Sequence, residues 1–112
     1  MSKAFSEVKL FQVKENKVGE FEALIGEIVG EQGKRPGCLG ITYMRRSHVM
    51  DEIGLPPREL TRIVKCVKYY SYWRFDTLEA FGEAQEWLFK NHAKQIMRCL
   101  IMPFDISCGY EI

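Results

Sequence analysis

Three side chains in the second half of the chain, Tyr69, Trp73 and His92, are of types that act on aromatic ligands. An imidazole has an unperturbed pKa near neutrality, so His92 is suited to take up a proton at physiological pH. The Tyr69 hydroxyl can orient a hydroxyl of the ligand, and the Trp73 indole can form an aromatic wall. Residues of these types can bind an aromatic ring and accept a proton.

Each of these residues also has a purely structural interpretation. His92 can be a histidine at a helix end that bonds to backbone, and Trp73 can simply fill the core. Tyr69 and Tyr72 can pack at a dimer face with their hydroxyls at its rim. The residue types alone are consistent with either interpretation.

Tyr69 and Trp73 belong to the longest β-favouring run of the sequence, IVKCVKYYSYW at residues 63–73. Dense in β-branched and aromatic residues and free of Gly and Pro, it predicts a central strand. Alternation along a strand places Tyr70 and Tyr72 on one face of the sheet, and Tyr69 and Trp73 on the other. Both faces are therefore expected to be apolar.

The remaining segments alternate between strand and helix patterns. Apolar residues recur every three or four positions over residues 17–32, which predicts a helix with Asn16 as its N-cap. Asp76 and Glu79 resemble a capping box, so a second helix is expected from Thr77. If it continues past Asn91, one buried line contains Leu78, Phe81, Leu88, His92 and Ile96. Gly82 and Asn91 disfavour that continuation, and a break near Asn91 would leave His92 opening a short third helix. Further strands are predicted at residues 5–13, 38–46 and 104–112, and a long loop at 47–61.

The order of these elements is β-α-β-β-α-β within a single domain, residues 1–112. That order is typical of the α+β, ferredoxin-like split βαβ fold, whose helices cover one face of an antiparallel sheet. The other face needs a partner or a ligand, because this short chain has no helix left to cover it. The sequence therefore predicts a homodimer through the open sheet face that encloses a cavity.

Composition excludes several kinds of partner. A net charge of +1 argues against nucleic acid, which requires a concentrated basic surface. No apolar run reaches membrane-spanning length, and the start MSKAFSEVKL has no signal-peptide core, so we expect a cytoplasmic protein that binds no membrane. The four cysteines form no CxxC pair and are expected to be free thiols, and no metal site is predicted.

Several short motifs occur in a recognisable order. Glu20-Phe21 lies in the first helix, the turn Pro36-Gly37-Cys38-Leu39-Gly40 follows it, Trp73 ends a strand, and Leu78-Glu79-Ala80-Phe81 leads to His92. In order and spacing they resemble the antibiotic biosynthesis monooxygenase domain of the dimeric α+β barrel superfamily, over nearly the whole chain. The resemblance implies a homodimer with a cavity between the sheet and its helices.

The resemblance also implies an activity. Some members oxidise polycyclic phenols to quinones with molecular oxygen and with no metal or flavin. Trp73 and His92 match a tryptophan and a histidine of the family, while Tyr69 stands where quinone-forming members have an asparagine. The implied function is cofactor-independent oxygenation of a small planar phenol, with His92, Trp73 and Tyr69 as catalytic residues and with Tyr72, Phe81 and Arg98 as substrate contacts.

Two other functions are also compatible with the resemblance. Related members bind or degrade haem, and in this chain His92 would be the axial ligand. Other members have no established reaction, so the chain can also be a dimeric ligand-binding module without catalysis. Titration with haemin separates the first of these from the rest, and oxygen uptake separates the second.

Overall fold

In the computed structural model, which describes residues 3–62 and 65–112, the chain forms a four-stranded antiparallel sheet covered by helices on one face. A short 3₁₀ turn, Glu15–Lys17, precedes the first helix. The strands of the main sheet are β1 (Phe5–Lys14), β2 (Cys38–Arg45), β5 (Cys66–Phe75) and β6 (Asp105–Tyr110); β3 (His48–Val49) and β4 (Arg58–Glu59) form a separate pair; the helices are α1 (Val18–Gly33), α2 (Leu78–Asn91) and α3 (Ala93–Arg98).

The strand order of the main sheet is β2-β5-β1-β6. The central strand β1 pairs with β5 along its whole length, from Phe5 opposite Phe75 to Lys14 opposite Cys66. Each α-helical crossover therefore passes over one strand before the chain rejoins the sheet, which is the split βαβ arrangement. The fold class predicted from the sequence is confirmed.

The other edge of β1 has two successive partners. Residues Phe5 to Leu10 pair with β6, while the far end of β1 pairs with the segment that follows α3, through a bridge between Val13 and Leu100. Between them the chain leaves the ladder at Pro103 and Phe104. Proline has no N–H to give to a ladder, so the interruption falls where the sequence cannot pair.

The core lies between the sheet and the helices. Every second residue of β1 and β5 is buried on this side, and α1 contributes the stripe Phe21, Ile25 and Ile28, which the apolar spacing of residues 17–32 predicted. The opposite face has no helix over it and leaves Val8, Met44 and Tyr72 exposed. One face is thus covered and the other open, as the sequence indicated.

The start of α2 differs from the prediction. Thr77, not Asp76, is the N-cap residue, and its hydroxyl accepts a hydrogen bond of 3.1 Å from the Ala80 backbone N–H. Asp76 instead donates its own backbone N–H to Gly37 O at 2.9 Å, which holds it outside the helix. Gly37 has φ +81° and a Cβ there would meet Ala80 at 2.6 Å, so glycine alone fits this contact.

Three further boundaries can be compared with the sequence. Asn16 lies inside the 3₁₀ turn and does not cap α1, because the turn moves the helix start beyond it. The sequence left open whether α2 continues past Asn91 or breaks there, and the structure has the break, since His92 has φ −134° and separates α2 from α3. The prediction of a loop over residues 47–61 was wrong in part, because β3 and β4 pair within this segment. The predicted first residues of the central strand, 63 and 64, lie outside the described residues. Leu78 is exposed and does not belong to the buried line of α2 that the sequence predicted.

Candidate functional site

Two opposite charges are buried in the centre of the covered sheet face. Glu7 and Lys9 occupy successive inward positions of β1, and their side chains are 0% and 1% exposed. Lys9 Nζ lies 3.3 Å from Glu7 Oε1 and 3.5 Å from Gln85 Oε1 of α2. Burial raises the pKa of Glu7 and lowers the pKa of Lys9, because each charged form loses hydration, although each partner partly opposes the shift of the other.

Aromatic rings surround the Lys9 ammonium group. Its Nζ lies 5.9 Å from the ring centroid of Trp73, 5.7 Å from that of Phe89 and 5.5 Å from that of Phe104. The negative faces of aromatic rings attract a cation, and the attraction is stronger away from water. Lys9 is therefore held between a carboxylate and three aromatic rings.

The neighbouring strand supplies an indole donor to the same place. Trp73 is opposite Glu7 in the β1–β5 ladder and is 0% exposed. The Glu7 carboxylate has Lys9 Nζ at 3.3 Å as its ionic partner and Gln85 beside it, whereas Trp73 Nε1 has no hydrogen-bond partner among the described residues. An N–H left unpaired in the interior costs about 1–3 kcal/mol. We call Glu7, Lys9, Trp73 and Gln85 the inner cluster, which offers acceptors and one donor to a ligand.

A second polar contact adjoins the inner cluster. Tyr43 of β2 donates its hydroxyl to Gln32 Oε1 of α1 at 2.7 Å, and Gln32 is 1% exposed. Burial raises the pKa of Tyr43, so its hydroxyl keeps its proton at physiological pH. Ser71 of β5 is opposite Lys9 of β1 and opposite Tyr43 of β2, so polar residues occupy neighbouring inward positions on three adjacent strands.

The predicted site residues lie in different places, and two of them adjoin the inner cluster. Trp73 belongs to it, and Phe81 of α2 is buried nearby, with ring centroids 5.1 Å from Phe5 and 5.8 Å from Phe75. Phe75 in turn lies 4.9 Å from Trp73. An aromatic wall therefore extends from the inner cluster along α2.

His92 lies at the junction of α2 and α3, where it is half-buried. Its ring packs edge-on against Trp87 at 5.3 Å, and the Arg35 guanidinium covers the same indole at 4.7 Å. Within the part of the chain that the structure describes, His92 Nδ1 and Arg35 Nε are buried without hydrogen-bond partners. His92 thus has an unpaired ring nitrogen, but its immediate neighbours are Trp87 and Arg35.

Tyr69 faces the helices two inward positions from Trp73, with Ser71 between them. Its ring packs on Phe21 at 4.7 Å, and its hydroxyl donates to Glu22, which also accepts from Arg45 at 3.1 Å. Burial and the Glu22 carboxylate both raise the pKa of Tyr69. Its hydroxyl is therefore already engaged by the chain's own carboxylate.

Tyr72 and Arg98 lie apart from the inner cluster. Tyr72 is 42% exposed on the open face and donates to Glu111 Oε2 at 3.0 Å. Arg98 ends α3 and is exposed, and its backbone oxygen accepts from Lys14 Nζ at 3.4 Å. Within one chain, Tyr72 and Trp73 are on opposite sides of the sheet and do not line the same space.

The sequence contained a signal for the inner cluster that was not used. In the first strand, FSEVKLFQVK, the residues in phase with buried Phe5, Phe11 and Val13 are Glu7 and Lys9. Two charged residues at inward positions must pair or bind something, because an isolated buried charge is costly. Gln85 had no such signal, since it lies among the polar residues of α2.

Two cavities of the described structure lie away from Trp73. A cleft of about 530 Å³ lies beside the β3–β4 pair and has Arg45, Arg46 and Lys68 among its lining residues. A groove of about 300 Å³ on α2 is lined by Glu83, Glu86, Trp87, Lys90 and Asn91. His92 is not among the residues that line this groove, and the groove's two carboxylates and one lysine are a poor environment for the anionic propionates of haem.

Two other searches of the described residues concern metals and membranes. No group of three or more His, Cys, Asp or Glu side chains in residues 3–62 and 65–112 is placed to hold a metal ion. None of the helices within these ranges combines the length and the apolar character needed to cross a membrane.

Comparison with known proteins shows the fold. No family model matches this sequence, and no curated protein matches it. Among solved structures, a Nitrosomonas europaea protein provisionally named an antibiotic biosynthesis monooxygenase is similar with a TM-score of 0.76 and 10% identity, over 100% of this chain and 93% of that one. A variant of SnoaB from Streptomyces nogalater, a cofactor-independent oxygenase, has a TM-score of 0.70 and 16% identity over 98% and 94%.

A third structure contains a ligand. The monooxygenase ActVA-Orf6 of Streptomyces coelicolor, solved with nanaomycin D, has a TM-score of 0.67 and 14% identity over 98% of this chain and 88% of that one. The resemblance seen in the sequence is thus confirmed at the level of the fold: this chain has the ferredoxin-like fold of structures named antibiotic biosynthesis monooxygenases.

Proposed function

We propose that this chain is a cofactor-independent monooxygenase that converts a small planar phenol to a quinone between its sheet and its helices. The inner cluster carries the proposal, because it combines a buried carboxylate–ammonium pair, a buried indole N–H with no partner among the described residues, and aromatic rings. The fold shared with a cofactor-independent oxygenase supports the class of reaction. The protein's own groups would bind the phenol, orient it and remove its proton.

The reaction balances without an external reductant. A phenol with a free para position reacts with one O₂ to give a para-quinone and one water. The substrate loses two hydrogens and gains one oxygen, a four-electron oxidation, and O₂ is reduced to the quinone oxygen and the water. Removal of the phenolic proton is the step that a protein can assist most directly, since a phenolate transfers electrons to oxygen far more readily than a phenol.

The residues predicted from the sequence take the following roles in the proposal. Trp73 forms the wall and donates from Nε1 to the ligand oxygen, and Phe81 extends the wall. Tyr69 as the orienting residue and His92 as the proton acceptor stay predictions, since the Tyr69 hydroxyl donates to Glu22 and the His92 ring packs on Trp87. We propose that Tyr72 serves the dimer face instead of the ligand, since it lies on the open side of the sheet. Arg98 stays a prediction as a substrate contact.

We further propose that the open face forms a homodimer. Val8 and Leu10 of β1 pair with Tyr72 and Tyr70 of β5, and Met44 of β2 continues the second row, so one apolar band crosses the sheet. Val8, Tyr72 and Met44 are 45%, 42% and 55% exposed. A second copy would bury the band, and light scattering at several protein concentrations measures the association.

Oxygen uptake with dithranol, a hydroxylated anthrone, tests the activity. We expect one O₂ consumed for each quinone formed, with uptake reduced at least tenfold in Trp73→Phe, which lacks the indole N–H. His92→Ala tests the predicted base, and Lys14→Met, an exposed change on the same strand as Lys9, is the matched control.

The outcomes separate the three functions. Uptake no faster than the spontaneous oxidation of dithranol contradicts the monooxygenase. Ligand binding without uptake identifies a non-catalytic binding module. A Soret shift with haemin that disappears in His92→Ala would favour the haem-binding alternative.

A further inference from the structure

We infer that Glu7 and Lys9 act as a pair that takes up the proton of the ligand's hydroxyl, so that the site selects planar aromatics with an acidic hydroxyl. This rests on the proposed function, because it concerns the same site, and it adds two residues that the sequence resemblance does not supply. The inference stands on the geometry of the inner cluster and on the fact that its net buried charge stays zero when a phenol transfers its proton to the pair.

The charge balance of the pair favours this use. Glu7 and Lys9 carry one acidic proton between them and have no net charge, whichever atom holds it. Adding a second proton to an isolated pair would leave a buried positive charge, which is strongly disfavoured. Adding it together with a phenolate leaves the site neutral. The pair is therefore a weak base alone and a much stronger one when a phenol is bound.

The proton transfer has one end state from either starting form. From the ion pair, the ligand O–H bond breaks and its proton joins the Glu7 carboxylate. From the neutral pair, the proton joins the Lys9 amine. Both give a Glu7 carboxylic acid, a Lys9 ammonium and a bound phenolate. In this end state the phenolate is the anionic partner of the Lys9 ammonium. The two groups titrate as a unit.

Few other ionisable groups face this pair. Burial dominates the pKa shifts of both groups, and the only charged partner that each senses is the other. From β5 the neighbours are Ser71 and Trp73, and from α2 the neighbour is neutral Gln85. Tyr43 of β2 senses the Glu7 charge, and Cys108 of β6 lies opposite Glu7 in the ladder. Burial raises the pKa of Tyr43, so its hydroxyl stays neutral near physiological pH.

The β6 edge is the side from which a ligand would reach Lys9. Phe89 and Phe104 stack at 5.7 Å with an interplanar angle of 30°, and both rings lie within 6 Å of Lys9 Nζ. Phe89 is 44% exposed, and Phe104 belongs to the interruption between α3 and β6. A planar aromatic that displaces these rings would occupy a surface already shaped for a flat ring over a cation.

His92 is less well placed for the same proton. Its ring packs on Trp87 at the end of α2, whereas Glu7 is directly opposite Trp73 in the ladder. A phenol held by Trp73 Nε1 therefore has the Glu7 carboxylate as its neighbouring acceptor. The two candidates can be separated by measuring the ionisation of a bound phenol.

Alizarin, a dihydroxyanthraquinone whose visible spectrum distinguishes phenol from phenolate, is a suitable probe. We expect binding to the wild type to lower its apparent pKa by roughly one unit or more. The double variant Glu7→Gln/Lys9→Met should remove the shift, while His92→Ala and the control Lys14→Met should keep it. The double change is used because a single change leaves one buried charge uncompensated.

Three results would overturn the inference. These are a shift that survives in a folded Glu7→Gln/Lys9→Met protein, a shift that disappears in His92→Ala, and no shift or no binding in the wild type. Circular dichroism verifies that each variant is folded. Failure of the proposed function is recognised separately. A full spectral shift of alizarin with no oxygen uptake on dithranol refutes the oxygenase but supports Glu7 and Lys9 as the proton acceptor. Oxygen uptake without a spectral shift supports the oxygenase but refutes this pair as the proton acceptor.

Discussion

The two faces of the sheet each contain a carboxylate paired with a cation, and the two pairs behave in opposite ways. On the covered face, Glu7 and Lys9 are almost fully buried, and the carboxylate has Lys9 at 3.3 Å and neutral Gln85 as its neighbours. On the open face, Arg74 binds Glu111 through two nitrogens at 2.6 and 2.9 Å, and Ser6 and Tyr72 also donate to it.

The pKa shifts of the two carboxyls follow from this difference. Burial raises the pKa of Glu7 despite its lysine, whereas the hydrogen bonds from Arg74 and Ser6 lower the pKa of Glu111 to about 2. Pairing alone therefore does not decide how a carboxyl titrates. The number of donors and the access of water decide it, which makes Glu7 a potential proton acceptor and Glu111 a structural anion.

The largest expected effect is that of Lys9→Met. Removing the cation leaves the Glu7 carboxylate buried and uncompensated, so we expect the free energy of unfolding to fall by about 3–5 kcal/mol. Urea unfolding of the variant and the wild type, with the slope compared to verify two-state behaviour, measures the change.

A double variant sharpens the same comparison. Glu7→Leu/Lys9→Met removes both charges and should recover most of the lost stability, because a buried ion pair is seldom more stable than apolar residues of similar volume. If the double variant were as unstable as Lys9→Met, the pair would be essential to the fold rather than available for function.

On the open face, Tyr72→Asp should weaken the proposed dimer. An aspartate at the centre of the apolar band would meet its copy across the interface, so we expect the dissociation constant to rise at least tenfold, which is about 1.4 kcal/mol. Sedimentation equilibrium measures the constant. Glu83→Gln on the outer surface of α2 is the control, and equal association of both variants would exclude this face as the interface.

The next smaller expected effect is a pH dependence of the free energy of unfolding, caused by Glu7. Since its folded pKa is raised above 4.5, the unfolded state loses this proton first, and Glu7 reduces stability as the pH rises from about 4.5 through its folded pKa. Relative to the wild type, Glu7→Leu/Lys9→Met should show a flatter stability profile across this window. A parallel pair of profiles would contradict the burial of the carboxyl.

The smallest expected effect is that of Glu111→Gln. The folded pKa of Glu111 is about 2, so its stabilisation is present above its unfolded value of 4.5 and is lost as the pH falls towards 2. The pair is surface-exposed and screened by salt, so the wild type should lose only slightly more stability than Glu111→Gln over this range. Thermal unfolding in acidic buffers measures the difference.

The fold was largely predictable and the site was not. Periodicity predicted the buried stripe of α1 and apolar residues on both faces of β5, but it left open which face is covered and whether α2 continues past Asn91. Local rules failed where tertiary contacts intervene, as when Gly37 holds Asp76 out of α2. The inner cluster depends on register between β1 and β5 and on where α2 lies, neither of which is a property of one segment.

The detour at Pro103 and Phe104 separates side-chain motion from backbone structure. Because β6 pairs with β1 only along Phe5 to Leu10, the Phe104 ring can rotate outwards without breaking a rung of the ladder. A guest molecule could then enter while the sheet stays intact. Amide hydrogen exchange in β6 should accordingly be as slow in the presence of an exchanging ligand as in its absence, because the ring would move while the backbone hydrogen bonds of β6 persist.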